Sequence, residues 1–164
     1  DAEGAIALYS KAFDYPENHQ VFYVDGRVPH DAQVYCALAE AYAALGDAAN
    51  EKVNYEKAVQ VNVRKTDYRY WKGVALKALG RKAEAKALFR ELVDEGRKGI
   101  VTDFVNFYGA EGTTGETVAT VNTRAYLTMG LGYKGLGRTF KARSCFKKAV
   151  SLKPDNLWAD VMLR

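Results

Sequence analysis

The sequence predicts an all-α array of repeated helix pairs, a solenoid of about eight helices, on three observations. Gly46 and Gly80 stand 34 residues apart, as do Tyr55 and Phe89; Gly137 and Phe146 recur 57 residues beyond Gly80 and Phe89, one such period plus a 23-residue insertion. Tyr9 precedes Tyr55 by 46, one period plus 12. Around these anchors, apolar residues fall at i, i+3, i+4 and i+7, the stripe of one helix face. The three prolines, Pro16, Pro29 and Pro154, lie outside the periodic segments, where they break no helix. A period of about 34 is that of a helix–turn–helix unit, and stacked units of this kind bind along a long surface more often than they catalyse.

Each element takes its place within one domain spanning 1–164. Residues 1–13 match only the second helix of a unit, with Ala5, Tyr9 and Ala12 as its apolar positions. Residues 14–30 form a first irregular insertion, in which Val21-Phe22-Tyr23-Val24 followed by Asp25-Gly26 predicts an extended piece and a turn. The repeat at 32–63 carries Tyr35, Leu38, Ala39 and Tyr42, then Gly46-Asp47, then Tyr55 and Ala58. The repeat at 66–97 is looser but keeps Gly73, Ala75, Leu76, Gly80, Ala85, Phe89 and Leu92. A second insertion, 97–115, is rich in glycine. Ile100, Phe104 and Phe107 within it are spaced for a short helix. Both insertions read either as functional loops or as aromatic cover over core exposed by the repeat offset.

The repeat at 123–154 is the cleanest. Tyr126, Met129, Gly130 and Tyr133 make one helix face, Gly137 suits the positive φ of a C-terminal cap, and Ala142, Phe146 and Ala149 make the facing stripe. Small Gly130 and Ala142 let two helices approach while Tyr133 and Phe146 fill the space beside them. Pro154 ends the unit, Asp155 or Asn156 is placed to cap the next helix, and 155–164 reads as a first helix without its partner.

These residues resemble the tetratricopeptide repeat, whose pattern is an aromatic, then Leu-Gly or a small pair, then Tyr, Gly, Ala, aromatic, Ala and Pro. The unit at 123–154 fits nearly throughout. At 32–63, Glu51 replaces a small residue and Val63 stands where proline is usual; at 66–97, Arg69 and Lys72 replace the first aromatic and Leu. The resemblance implies a right-handed α-α superhelix whose first helices line a concave groove. It then assigns Gln33, Glu40, Tyr70, Trp71, Lys77, Arg124, Leu127, Thr128 and Lys134 to a partner-binding surface. A subset of the family clamps a C-terminal carboxylate with Lys, Asn and Arg; Cys36, Ala37, Glu40, Asp67 and Trp71 occupy the corresponding region, so that clamp is absent. Trp71, Val74, Ala75 and Ala78 also fall at i, i+3, i+4, i+7, so Trp71 serves either binding or packing. More distantly, NHQVFYVDGRVPHDAQVYCALAEAY and the repeat after the Gly-rich insertion resemble the repeat tail of large bacterial proteins with an upstream sugar-enzyme-like β-sandwich.

Composition narrows the function. The 164 residues are 48% hydrophobic and 27% charged, which excludes a disordered or fibrous chain. No apolar run approaches the length of a membrane span, and no partner membrane is implied. Net charge is +4, but residues 116–164 hold nine Lys/Arg against three Asp/Glu. That basic end favours an acidic partner or is simply a solvated helix surface. Nucleic acid is disfavoured, since Lys141, Lys147 and Lys148 belong to a second helix and no base-reading pattern is visible.

His19 and His30 lack companion ligands, and Gly109–Gly115 lacks the Gly-Lys-Ser/Thr ending of a phosphate loop, so no metal, cofactor or catalytic residue is expected and the chain is not read as an enzyme. Cys36 and Cys145 are expected to be two free, packed thiols. The expected function is a non-catalytic scaffold binding a peptide, a protein or another domain of its parent chain. The alternative is an accessory repeat region of a larger, carbohydrate-active bacterial enzyme. The opening Asp1, inside a helical pattern, reads as the start of an excised fragment, whose uncapped half-repeats are expected to associate end to end. No cellular address is written in the chain; a soluble, cytoplasmic setting is the one it favours.

Overall fold

The computed structural model describes residues 1–14, 28–64, 67–102 and 117–163. Among them are eight helices and no strand: α1 (Ala2–Lys11), α2 (Asp31–Ala44), α3 (Ala48–Gln60), α4 (Arg69–Ala78), α5 (Lys82–Lys98), α6 (Val118–Gly135), α7 (Thr139–Leu152) and α8 (Leu157–Leu163). The all-helical expectation is therefore met. The extended piece expected at Val21–Val24 and the short helix expected through Phe104 and Phe107 lie outside the described residues. The chain divides into two compact units, Asp1–Lys86 and Ala87–Arg164, with the boundary inside α5.

One turn is used three times. Gly46, Gly80 and Gly137 have φ of 75°, 78° and 72°, a conformation open to glycine at little cost. At each, the glycine N–H donates to the carbonyl three residues back, that of Ala43, Lys77 and Lys134 in turn, at 3.0, 3.1 and 3.0 Å. The next residue's N–H reaches further back, from Asp47 to Tyr42 at 3.0 Å, Arg81 to Leu76 at 2.9 Å and Arg138 to Tyr133 at 2.8 Å. This paired bonding closes the orphan carbonyls of a helix end and reverses the chain. It explains why a glycine recurs in register and why the following helix starts within two or three residues.

In the first unit, α1 is opened by Asp1, whose carboxylate accepts the Gly4 N–H at 3.0 Å. The α2 helix lacks a side-chain cap; instead the buried carboxylate of Asp31 turns back to accept the Val28 N–H at 3.2 Å, fixing the chain's entry. Ala32, Cys36 and Ala39 are fully buried on one α2 face. Cys36 and Ala39 pack with Tyr55, Ala58 and Ala75, while Ala32 packs with Val61 and Val63; Tyr35 and Trp71 rest against both clusters. Asp47 caps α3 through the Asn50 N–H at 3.0 Å.

In the second unit, Phe89, Leu92, Leu131 and Phe146 are fully buried. The expected large–small fit is present: a Cβ built on Gly130 would sit 2.5 Å from the Phe146 ring, so only glycine leaves that ring its place. A Cβ on Gly132 would meet the Phe89 carbonyl oxygen at 2.7 Å, which shows α5 and α6 in backbone contact. The α6 helix begins at Val118, ahead of the repeat pattern visible from Thr123. Thr117, in extended conformation, accepts the Thr120 N–H at 3.1 Å and supplies a cap that no repeat position requires. The α7 helix stops at Leu152 before Pro154, and Asn156 opens α8 by accepting the Ala159 N–H at 2.9 Å.

Candidate functional site

First helices meet directly within the first unit. The Cys36 thiol on α2 donates to the Trp71 carbonyl on α4 at 3.4 Å, joining the two helices whose outward positions the sequence assigns to a groove. Glu40, one turn along α2 from Cys36, is exposed. Its carboxylate acts on three acidic groups around it. Burial first, and then Glu40, push the Cys36 thiol up to about 12; the same two causes in the same order push the Tyr55 and Tyr70 phenols up to about 12. All three therefore stay neutral at physiological pH, and Glu40 carries the local charge. An inert, protonated Cys36 is a packing group and not a nucleophile.

The remaining first-unit positions divide by exposure. Gln33 is half-buried and Lys77 is exposed. Tyr70 is only 7% exposed and meets Trp71 edge-on, with ring centroids 5.2 Å apart. Trp71 is half-buried, packs against both core clusters, and has a buried indole N–H without an acceptor. Of the two roles the sequence allows it, packing is the one its contacts display. Lys72, beside it, donates to the Val61 carbonyl at 3.5 Å, and burial followed by the Arg81 charge lowers its ammonium pKa.

In the second unit, Arg124 and Lys134 are exposed on α6, whereas Leu127 and Thr128 are buried. Lys134 reaches α8, its ammonium 3.2 Å from the Met162 sulfur. One long side chain thus links α6 to α8 in this unit, whereas α2 and α4 share a packed core in the other. Of the positions assigned to the groove, Glu40, Lys77, Arg124 and Lys134 are exposed, while Tyr70, Leu127 and Thr128 are buried. The arrangement provides charge and shape. Among the described residues no three His, Cys, Asp or Glu side chains are grouped to hold a metal ion, and no helix is long and apolar enough to cross a membrane.

The groove positions do not include Arg90, Arg97, Arg138 or Phe140, which the fold gathers on the second-helix side of the second unit. The first three line one pocket with Val93, Asp94 and Leu136, and Phe140, 93% exposed, lines a second pocket that shares Arg138 with the first. The only sequence signal for them was register: Phe140 stands where the other two repeats have Ala49 and Ala83.

Tetratricopeptide-repeat models match residues 32–62, 67–95 and 123–156, together more than half of the chain. Comparison with curated proteins and with solved structures gives no match.

Proposed function

Because the chain belongs to the tetratricopeptide-repeat family, we propose that it is a non-catalytic interaction module whose first-helix faces bind a peptide or a neighbouring domain of its parent protein. Repeats of this family generally mediate protein–protein interaction. The observation that carries the reading is the direct contact of first helices α2 and α4, which leaves Glu40 and Lys77 exposed; Arg124 and Lys134 are likewise exposed on α6. Glu40 and Lys77 suit a partner segment bearing both charges; Arg124 and Lys134 suit a carboxylate.

Selection of peptides from a displayed random library on the wild-type chain tests this. Charge reversal at Glu40→Lys with Lys77→Glu, or at Arg124→Glu with Lys134→Glu, is expected to weaken selected peptides about tenfold. Lys86→Glu, on the second helix α5, serves as the control and should leave them bound. Peptides indifferent to both reversed pairs would remove the groove assignment.

A second reading, association between copies through their ends, is favoured by exposed apolar side chains there: Leu8 and Tyr9 on α1 at 69% and 40%, and Leu157 and Val161 on α8 at 77% and 59%.

A further inference from the structure

The three turns share their backbone bonding but not their charge. In the first, Asp47 accepts from the Asn50 N–H at 3.0 Å and from its side-chain amide at 2.6 Å. In the second, Arg81 takes the place of Asp47 and Glu84 that of Asn50, and the guanidinium grips the carboxylate through two bonds of 2.7 and 2.6 Å. In the third, Arg138 is again the residue after the glycine, but Lys141 stands where Glu84 stood. The internal carboxylate has been exchanged for a second cation. The Lys141 ammonium instead lies 5.7 Å above the Tyr133 ring. Between them, the Ala49 and Ala83 of the other turns become Phe140.

The α5 helix adds to this cation excess. Arg90, Val93, Asp94 and Arg97 follow one α5 face at i, i+3, i+4 and i+7, and with Arg138 they line a single pocket. Arg97 is held by Asp94 at 3.5 Å and by the Tyr133 hydroxyl at 3.4 Å. Tyr133, 8% exposed, therefore fixes one cation with its hydroxyl and another with its ring face. Neither Arg90 nor Arg138 has a carboxylate partner among the described residues, and both are exposed. The α7 helix carries Lys141, Arg143, Lys147 and Lys148 and no acidic residue.

We propose that this surface, the α5 face together with the α6–α7 turn, docks an acidic segment of a partner protein that also carries an apolar side chain to cover Phe140. Charge complementarity argues the acid: two guanidinium forks without a carboxylate partner among the described residues line one pocket and match carboxylates in paired hydrogen bonds. Asp94 argues for a peptide over a phosphate chain, since its carboxylate can accept a peptide N–H, a donor that a sugar–phosphate backbone lacks. A wholly exposed phenylalanine beside the pocket supplies the desolvated anchor that a charged rim alone lacks. Because the surface is built from second helices and their turn, it goes beyond the first-helix reading and stands or falls separately.

A labelled peptide alternating Asp-Glu pairs with Phe and Leu is the probe, with fluorescence anisotropy as the readout. The wild-type chain is expected to bind it, more weakly as salt screens the charges. Arg90→Glu with Arg138→Glu should weaken binding at least about tenfold, and Phe140→Ala about three- to tenfold. Lys147→Glu, on α7 but outside the pocket, and Lys134→Glu, on the first-helix face, should leave affinity within about twofold. The altered side chains are exposed, so unchanged thermal unfolding of each variant is expected and is checked alongside. Absence of binding, equal losses at Lys147→Glu, or tighter binding of a single-stranded oligonucleotide through Arg90 and Arg138 would each overturn the proposal.

Discussion

The side-chain amide of Asn122 closes both hydrogen bonds on the backbone of Val101: its oxygen accepts the Val101 N–H and its nitrogen donates to the Val101 carbonyl, each at 2.8 Å. Asn122 sits on the part of α6 that runs ahead of the repeat pattern, and Val101 lies just past the end of α5. One side chain thus serves as a strand would, and it brings together two points 21 residues apart in sequence. Asn122→Ala leaves a half-buried N–H and carbonyl without partners. It is expected to cost about 1–3 kcal/mol, and Asn122→Asp, which sets a carboxylate oxygen against the Val101 carbonyl, at least as much. Urea unfolding reads both, as a lower midpoint with unchanged slope. A midpoint unaltered by Asn122→Ala would mean that the pair contributes nothing.

Glycines in the same chain should respond differently to alanine. At Gly132 the added Cβ would meet α5 backbone, the Phe89 carbonyl oxygen at 2.7 Å and the Val93 nitrogen at 2.8 Å, and neither can move without the whole helix. Gly132→Ala is expected to destabilise by about 1–3 kcal/mol. At Gly4 the obstacle is the Asp1 carboxylate at 2.6 Å, the far end of a flexible side chain. Helix propensity there offsets the disturbed cap, so Gly4→Ala should stay within about 0.5 kcal/mol of wild type. Thermal melts that rank the two substitutions the other way would refute the close-approach account of Gly132.

Local rules explain why part of this was legible. Only glycine adopts the left-handed φ at Gly46, Gly80 and Gly137 at little cost, so the turn printed itself on the sequence three times, and the register of every helix pair came with it. Gly130 and Phe146 were legible for a related reason, one residue's absence of a side chain answering the other's bulk. Tyr70 and Trp71 were not. Periodicity fits a tryptophan to a groove or a core, and the decision came from tertiary packing, which sets Trp71 against the cluster of Cys36, Ala39 and Ala75 and that of Ala32, Val61 and Val63. The α6 start at Val118 was hidden because its cap, Thr117, belongs to no repeat position. The cation cluster escaped too, since Arg97 and Tyr133 meet across 36 residues of sequence and share no periodic pattern.

Alkali should loosen the first unit. In the unfolded chain the Cys36 thiol ionises near its ordinary 9.0, whereas in the fold burial and Glu40 hold it protonated up to about 12. Tyr55 and Tyr70 move the same way, from 10.0 to about 12. Above pH 9 the unfolded state therefore binds fewer protons than the folded one, and stability falls as pH rises. The contribution is complete below the unfolded values and is lost on approach to about 12. Unfolding free energy measured from about pH 8 upward should decline, with a shallower early decline in Cys36→Ala. Alkylation of Cys36 in the native chain should track global or local opening. A pH-independent stability over this window, or native labelling as fast as in denaturant, would contradict the account.

Leu157 and Val161 lie one turn apart on α8 and are 77% and 59% exposed, an apolar stripe of the kind that a following helix covers in a stacked array. Covering a leucine or valine fully is worth about 1.5–3 kcal/mol, so the 164-residue chain gains by placing that stripe against an equivalent surface of another copy. Leu8 and Tyr9 on α1 offer such a surface at the other end. The chain is therefore expected to show a mass that rises with concentration in sedimentation equilibrium. Leu157→Lys with Val161→Lys should hold it at the monomer mass while leaving helix content unchanged, because neither side chain is part of the core. Leu8→Lys on α1 should do the same if the contact is head to tail, since a heterologous contact needs both ends. Were Leu8→Lys without effect while the α8 pair abolished association, the contact would be α8 against α8, an isologous dimer that stops at two copies. A monomer mass at every concentration for the wild-type chain would exclude both.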